Sequence, residues 1–261
     1  MNRNTIDKTN PALIDSVGLK NLFRITQLDI TETSNEFYRF KAEIYNKHTL
    51  LSVSWISEIK PDALRRGDVV SVIWLTRKVF RSGTNIILGL TKIIQLQEDD
   101  CVLSTVPDSW IRNPTIFIDL ANIIQSLNKE LQSLIQHILL QPDVLYRFLT
   151  APFQLRGFYS HLGGNLQKTV LGVREALLTN HQQVNFDSKL YLAALVLIGI
   201  GRNKQFKLDK PNKVFRKAKY PDPNIEAMNL IIETAARCDI DNKNLLALLR
   251  VLNNMQPDIV I

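Results

Sequence analysis

The sequence predicts an α+β protein in which a five-stranded β-barrel is followed by an all-α domain. From Leu19 to Gln97 the apolar residues recur at a spacing close to two, which is the pattern of β-strands. From Asn113 onward the spacing changes to three and four, as in helices that cover one side of a core. The predicted division is an N-terminal tail at 1–18, the barrel at 19–98, a polar linker at 99–113 and the helical domain at 114–261.

Five strands are predicted within the barrel, because clusters of turn residues interrupt the alternating pattern. The segment Glu58–Arg66 has room for one short helical turn between the third and fourth strands. This order is typical of a Greek-key barrel of the OB type, and an SH3-like barrel is the structural alternative. The predicted strands are Lys20–Ile30, Glu36–Tyr45, Leu50–Ser57, Asp68–Trp74 and Asn85–Leu96.

The helical half is predicted from apolar residues that recur on one face from Ile116 to Ile135. Pro142 marks a break, after which a further helix spans Val144 to Leu149. Gly199 and Gly201 lie within an apolar helix, so they indicate close helix packing rather than a phosphate-binding loop. The remaining predicted helices are Leu166–Leu178, Ser188–Ile200, Pro223–Arg237 and Asn242–Asn253.

Composition restricts the class of protein. The chain of 261 residues is 45% apolar and 22% charged, which is typical of a folded globular protein and not of a disordered chain. With only Cys101 and Cys238, neither a disulfide framework nor a zinc site is predicted, and no cofactor is expected. The polar N-terminus lacks a signal-peptide pattern, and the longest apolar run, Leu190–Gly201, is too short to cross a bilayer. We therefore expect a cytoplasmic protein with no membrane partner.

The net charge of +7 is concentrated in the segment Arg202–Lys219, in which basic residues greatly outnumber acidic ones. Blocks of like charge are typical of solvated loops, which is one interpretation. The other is a phosphate-binding strip, because lysine and arginine release counterions when they bind nucleic acid. The residues predicted to contact phosphate are Lys204, Lys207, Lys210, Lys213, Arg216 and Lys217.

The second predicted strand offers another candidate binding surface. Alternation places four apolar residues toward the core and four others, two aromatic and two basic, on the opposite face. In barrels that bind single strands, exposed aromatic residues stack on bases and basic residues follow the phosphate backbone. The alternative is that the aromatic residues pack under loops, while Trp55 and Trp74 are predicted to lie in the core. The predicted contact residues are Phe37, Arg39, Lys41 and Tyr45, joined by Arg77, Lys78, Phe80 and Arg81 from the turn after the fourth strand.

Three short motifs resemble, in their order and spacing, those of the YhaM-type 3′–5′ exoribonucleases. The motifs are Phe148–Pro152, Gly163–Thr169 and Ile198–Arg202. The resemblance spans Leu19 to Met255 and implies an OB domain joined to a helical HD phosphohydrolase domain. The helical half is also similar to the HD-type domain of relaxases of conjugative elements.

The residues that would hold the metal ions of that family differ in this chain. An active HD domain needs histidine and aspartate side chains to bind one or two metals that activate water. The corresponding positions here lack such side chains, and His161 nearby cannot form a metal site alone. The resemblance therefore implies a degenerate HD domain with no metal and no catalytic residue. The substituted positions are Phe158, Tyr159, Lys168, Ile198, Gly199, Asn224 and Asn253–Asn254.

The same positions predict a phosphate pocket that would bind its ligand without cutting it. Lys168 and Arg202, with Arg156 nearby, would place positive side chains where the family has its metals. The alternative is that Lys168 extends to the surface while Phe158 and Ile198 fill the cleft.

Taken together, these features predict a non-catalytic protein that binds single-stranded DNA or RNA. Its expected role is that of an accessory factor in nucleic-acid processing or in conjugative transfer of a mobile element, with protein partners in such a complex. Two other functions are compatible with the residues: a metal-dependent 3′–5′ exonuclease of the HD class, and a protein-interaction scaffold built on a pseudo-enzyme domain. No P-loop, dinucleotide fingerprint or nucleophile motif indicates another chemistry.

Overall fold

A computed structural model of the chain has a mixed α+β fold, with a curled β-sheet in the N-terminal part and α-helices in the C-terminal part. It describes residues 22–33, 36–47, 49–58, 64–75, 79–81, 83–97, 100–179, 188–202, 205–210, 213–216 and 222–255; in 79–81, 207–210 and 213–216 the backbone alone is described. The predicted tail 1–18 and positions 59–63 of the predicted helical turn lie outside these residues. No helix in these ranges is long and apolar enough to cross a membrane.

The sheet has seven strands within the described residues, where the sequence predicts five. Four strands match predicted ones closely, but the fifth predicted strand is interrupted at Ile87 and Leu88. The Ile87 N–H donates to Ser54 O at 3.1 Å and the Leu88 N–H donates to Ile73 O at 2.8 Å, so the chain changes its pairing partner there. A short strand also forms after the fourth strand, where a turn is predicted. The strands are β1 (Phe23–Glu32), β2 (Tyr38–Asn46), β3 (Thr49–Ser57), β4 (Val69–Ile73), β5 (Val79–Arg81), β6 (Thr84–Ile86) and β7 (Gly89–Lys92).

The strand order is β5-β6-β3-β2-β1-β4-β7, and all neighbours are antiparallel except β3 and β6, which are parallel. β7 also contacts β3, so the sheet curls back on itself. Along β2 the side chains alternate as predicted: Phe40, Ala42 and Ile44 are buried. Arg39 and Lys41 are exposed. The buried core of the curled sheet consists of Phe23, Ile25, Phe40, Ala42, Ile44, Val53, Trp55, Val70 and Ile87, with Trp74 packed against it.

Seven α-helices lie in the described part of the C-terminal half. The long apolar run that starts at Ile116 forms two helices, each capped by an asparagine. The Asn113 side chain accepts from the Ile116 N–H at 3.2 Å, and the Asn128 side chain accepts from the Leu131 N–H at 2.9 Å. The helices are α1 (Pro114–Ser126), α2 (Lys129–Leu140), α3 (Pro142–Thr150), α4 (Gly164–Thr179), α5 (Ser188–Arg202), α6 (Pro223–Ala235) and α7 (Asn242–Asn254).

The helical half also contains a two-stranded hairpin, β8 (Phe206–Lys210) and β9 (Lys213–Arg216), between α5 and α6. The prediction of an all-α domain is therefore wrong in this segment. Phe206 is 2% exposed, so the hairpin begins at a buried residue. The sequence interpretation missed the strands because the many lysines conceal a short alternation of apolar and charged residues.

The predicted polar linker 99–113 is not an exposed connection in its described part, residues 100–113. This part, called the join below, contains two short 3₁₀ helices, Val102–Thr105 and Asp108–Trp110. Its apolar residues are buried in a core that also includes Leu22 and Val69 from the sheet half. The join thus packs between the sheet and the helices. Apolar residues lie between its polar ones, and residues of both halves cover these apolar side chains.

Helix α5 runs through the centre of the helical core, and every residue from Leu192 to Gly201 is buried. A Cβ atom added to Gly199 would overlap the Thr169 side chain of α4. A Cβ atom added to Gly201 would overlap the backbone carbonyl of Pro223 at the start of α6. The interpretation of these glycines as positions of close helix packing is therefore confirmed.

Candidate nucleic-acid interface and cation–aromatic cluster

The outward face of β2 and β3 carries the basic residues predicted to contact nucleic acid. Arg39 and Lys41 are exposed, and their partners across the strand pair in β3 are Ile56 and Ser54. Ile56 is 58% exposed, so an apolar group adjoins the cations. On the other side, Asp29 of β1 pairs with Lys41 and adds one acidic residue. This surface, called the barrel face below, can offer apolar contacts to bases and charge to phosphates.

The two aromatic residues predicted for this surface are less exposed than the basic ones. Phe37 and Tyr45 are both half-buried. The Tyr45 hydroxyl donates to Asp108 Oδ1 at 3.2 Å. Burial, followed by the negative charge of Asp108, raises the pKa of Tyr45 above its usual value. Tyr45 therefore packs partly under the join, and Leu50, its exposed cross-strand partner in β3, supplies the apolar surface at this end.

Some predicted contact residues cannot be placed in full. Outside the described residues lie Arg77, Lys78, Lys204 and Lys217. The backbone alone is described for Phe80, Arg81, Lys207, Lys210, Lys213 and Arg216. In the hairpin, Lys207 pairs with Phe215 and Lys210 pairs with Lys213. Strand pairing thus brings the basic positions of this segment together in one hairpin.

Two residues of the predicted phosphate pocket belong to a cluster of cations and aromatic rings beside the first turns of α4. Lys168 is 7% exposed, and its Nζ lies 5.4 Å from the centroid of the Tyr159 ring. Arg202, at the end of α5, has its Cζ 4.1 Å from the centroid of the Phe153 ring. The two rings meet edge to face with their centroids 6.3 Å apart. Lys168, Tyr159, Phe153 and Arg202 are called the cation–aromatic cluster below.

The loop between α3 and α4 holds the two rings in place. The Phe153 N–H donates to Tyr159 O at 2.9 Å. A Cβ atom added to Gly164 would overlap this same Tyr159 carbonyl, so the loop lies directly on the start of α4. Arg156, predicted as part of the pocket, is exposed in this loop and is not one of the cluster's residues. Phe158 is 94% exposed and therefore does not fill the cleft.

Gly199 and Asn224, two positions at which the sequence resemblance predicts substituted metal ligands, make structural contacts. The Asn165 side chain donates to Gly199 O at 2.8 Å and ties α4 to α5. The Asn224 side chain donates to Leu252 O at 3.0 Å and to Met255 O at 2.6 Å, which ties α6 to the end of α7. Among the residues that the structure describes, no group of three or more His, Cys, Asp or Glu side chains is placed to hold a metal ion.

A polar groove of about 680 Å³ lies between the end of the sheet, α2 and the connection of α6 to α7. Several of its side chains already bind the protein itself. The Gln136 side chain accepts a backbone N–H of the join at 2.8 Å, and Glu130 accepts from the Asn244 side chain at 2.8 Å. His137 Nε2 accepts from the Leu96 N–H at 3.0 Å. The sequence does not indicate this groove, because its walls come from distant segments. Its occupied polar groups hold α2 against the end of the sheet, the join and α7.

Arg24 is a buried cation that strand alternation does not distinguish from an exposed one. It is 0% exposed; its Nε donates to Thr105 Oγ1 at 3.1 Å and its Nη1 donates to Gly67 O at 2.6 Å. Its Cζ lies 5.6 Å from the centroid of the Trp110 ring. Burial lowers the pKa of Arg24 to about 9, and the negative charge of Asp68 opposes this change. The guanidinium is therefore charged at neutral pH and connects the sheet to the join.

No protein-family model matches the chain, and neither a search of curated proteins nor a search of solved structures found a match. The assignment of a function therefore depends on the geometry of the barrel face, the basic hairpin and the cation–aromatic cluster.

Proposed function

We propose that this protein binds single-stranded nucleic acid without cleaving it. The connectivity of the sheet is the observation that carries this proposal. β6 and β7 are interpreted as halves of one bent strand, because β6 pairs in parallel with β3 while β7 pairs antiparallel with β4. With the pairs β1–β2, β2–β3 and β1–β4, this interpretation gives the five-stranded barrel of an OB-type domain.

The positions of the predicted contact residues agree with the way OB-type barrels bind oligonucleotides. Those barrels use the face of the second and third strands and the loops that follow the first and fourth strands. In this chain the corresponding face carries Arg39, Lys41 and the exposed Ile56. Arg77 and Lys78 belong to the connection that follows β4, and Phe80 and Arg81 belong to the short strand β5 after it. The basic hairpin would add phosphate contacts that do not depend on base sequence.

The side chains of the helical half support the non-catalytic part of the proposal. If this half is a degenerate HD domain, as its motifs indicate, the ligand positions carry Tyr159, Lys168, Gly199 and Asn224. None of these residues offers the imidazole or carboxylate group that binds a catalytic metal in such domains. An accessory role in nucleic-acid processing or in conjugative transfer fits a protein that holds strands and leaves them intact.

The test is the binding of labelled single-stranded DNA and RNA by the full chain at two salt concentrations. Because phosphate contacts release counterions, we expect the affinity to fall steeply between roughly 50 and 200 mM salt. The double variant Arg39→Glu, Lys41→Glu should bind at least about tenfold more weakly, since it replaces two attractive charges with repulsive ones. Comparing the two nucleic acids also determines which of them the protein prefers.

The matched control is the double variant Lys243→Glu, Arg250→Glu, which makes the same charge change on exposed residues of α7. We expect this control to alter the affinity by about twofold at most. An equal loss in both double variants would mean that net charge, and not the barrel face, determines binding. Absence of binding by the unchanged protein would rule out the proposal. Degradation of the strand with Mn²⁺, blocked by a chelator, would instead favour the exonuclease.

A further inference from the structure

We infer that the tip of the loop between α3 and α4 is a second contact point for a single strand, where the Phe158 ring stacks on an unpaired base. This role rests on the proposed function and adds a binding residue outside the barrel face. The tip consists of residues 154–158, all of them exposed. Phe158 is 94% exposed, and Leu155 adds a second exposed apolar side chain. A single apolar residue is ordinary at a protein surface, but an aromatic and an aliphatic one on the same short loop indicate a binding surface.

Hydrogen bonds at the base of the loop fix the backbone of the tip. The Phe153 N–H donates to Tyr159 O at 2.9 Å, and the rings of these two residues pack edge to face. Just after the tip, the Ser160 hydroxyl donates to Gly157 O at 2.7 Å. Gly157 has a φ of +100°, which residues with a Cβ atom rarely adopt, so the turn before Phe158 depends on glycine. Because the backbone is already ordered, stacking on Phe158 would cost little conformational entropy.

The charge around the tip favours a nucleic acid as the partner. Arg156 is exposed two residues before Phe158, and the sequence has no acidic residue between Asp143 and Glu175. A single strand supplies both matching groups, since each base has a π-face for the ring and each phosphate has a negative charge for the cation. A second copy of the chain suits this surface less well. In a symmetric dimer through the tip, the two Arg156 side chains would approach each other and repel.

Packing contacts connect the tip to one end of the barrel face through the join. At that end of β2, the Tyr45 hydroxyl donates to Asp108 of the join at 3.2 Å. Further along the join, the exposed Arg112 lies against Gly163, where the loop ends; a Cβ atom added to this glycine would be 3.3 Å from Arg112 Cβ. A strand that extends past Tyr45 would therefore pass one exposed arginine of the join before it reaches the loop.

The test is the binding of a labelled single strand by the full chain and by variants of Phe158. Phe158→Ala removes the ring, and Phe158→Leu keeps an apolar side chain without a π-face. We expect both variants to bind at least about fivefold more weakly than the unchanged protein, because stacking on an aromatic side chain contributes this much per base. On a strand of the same length with abasic sugars, Phe158→Ala should cost nothing, since no base remains to stack.

The matched control is Leu178→Ala, which removes an exposed apolar side chain at the other end of α4. We expect it to change the affinity by about twofold at most. The unfolding curves of the Phe158 variants should match that of the unchanged protein, because the ring is almost fully exposed. Equal affinity of Phe158→Ala and the unchanged protein would overturn the inference. Equal affinity of Phe158→Leu would also overturn it, since an apolar contact would then be sufficient.

Failure of this contact can be separated from failure of the proposed function. If the unchanged protein binds no strand, both are wrong. If Arg39→Glu, Lys41→Glu weakens binding and Phe158→Ala does not, only the contact at the tip is wrong. Sedimentation velocity tests the other occupant, because a dimer of the unchanged protein that dissociates in Phe158→Ala would assign the tip to a second copy and overturn the inference.

Discussion

Replacing Arg24 with alanine is expected to lower the free energy of unfolding by about 3 to 5 kcal/mol. The side chain is 0% exposed and connects β1 to the join that packs between the sheet and the helices. The substitution removes the hydrogen bonds to Thr105 Oγ1 at 3.1 Å and to Gly67 O at 2.6 Å. It also removes the contact with the Trp110 ring, whose centroid is 5.6 Å from the guanidinium carbon.

Two destabilising effects and one stabilising effect determine this magnitude. Each hydrogen bond from a charged donor contributes about 1.5 to 3 kcal/mol, and a large side chain cut to alanine leaves a cavity that costs about 2 kcal/mol or more. Removing a buried charge recovers several kcal/mol of desolvation, the same effect that lowers the pKa of Arg24. Methionine also removes the charge but fills much of the volume, so Arg24→Met should cost less than about 2 kcal/mol. The nearby Asp68 keeps its ion pair with Lys92, at 2.9 Å, in either variant.

Urea denaturation, monitored by circular dichroism, measures the free energy of unfolding of each variant, and thermal unfolding measures its melting temperature. The melting temperature should fall by roughly 10 °C in Arg24→Ala, at roughly 2 to 4 °C per kcal/mol for a chain near this size. Arg39→Ala, an exposed arginine of the same sheet, is the control and should stay within about 0.5 kcal/mol of the unchanged protein. A loss below about 1 kcal/mol in Arg24→Ala would refute the reasoning, as would an equal loss in Arg24→Met.

Two further predictions concern helix packing and thiol reactivity. Gly201→Ala should lower the free energy of unfolding by about 1 to 3 kcal/mol, because the added Cβ would overlap the Pro223 carbonyl. Thermal unfolding measures this change. A decrease in the free energy of unfolding of less than about 0.5 kcal/mol would contradict the close packing. Burial raises the pKa of Cys238 to about 11. Because only the thiolate reacts, alkylation of Cys238 in a Cys101→Ser variant should accelerate about tenfold per pH unit from about pH 7 to about pH 10. Mass spectrometry measures the alkylation rate at each pH. A rate that levels off near pH 9 would show that burial does not raise the pKa of the Cys238 thiol as described.

Local patterns were sufficient to predict which side of β2 is buried and where most of the helices lie. Phe40 and Ile44 are buried because side chains alternate across a strand, whatever the strand pairs with. The break at Ile87 could not be predicted in this way. It arises because the chain leaves its partner in β3 for one in β4, and those partners lie far away in sequence.

In the candidate sites, too, features that follow from local alternation could be predicted, and features that depend on tertiary contacts could not. Alternation alone predicts that Arg39 and Lys41 face outward, and the structure agrees. The hydrogen bond from Tyr45 to Asp108 joins residues from different parts of the chain, so no local pattern indicates that Tyr45 is partly covered.

Length, composition and periodicity by themselves determined that this chain has a strand-rich part followed by a helical part, with its excess positive charge in one segment. The tertiary structure alone decided that Arg24 and Lys168 are buried cations and that the join between the halves is packed. Periodicity reports which side of an element faces a core, because it depends only on backbone geometry. What covers a given side chain depends on segments brought together by folding, such as the loop that lays Tyr159 against Lys168.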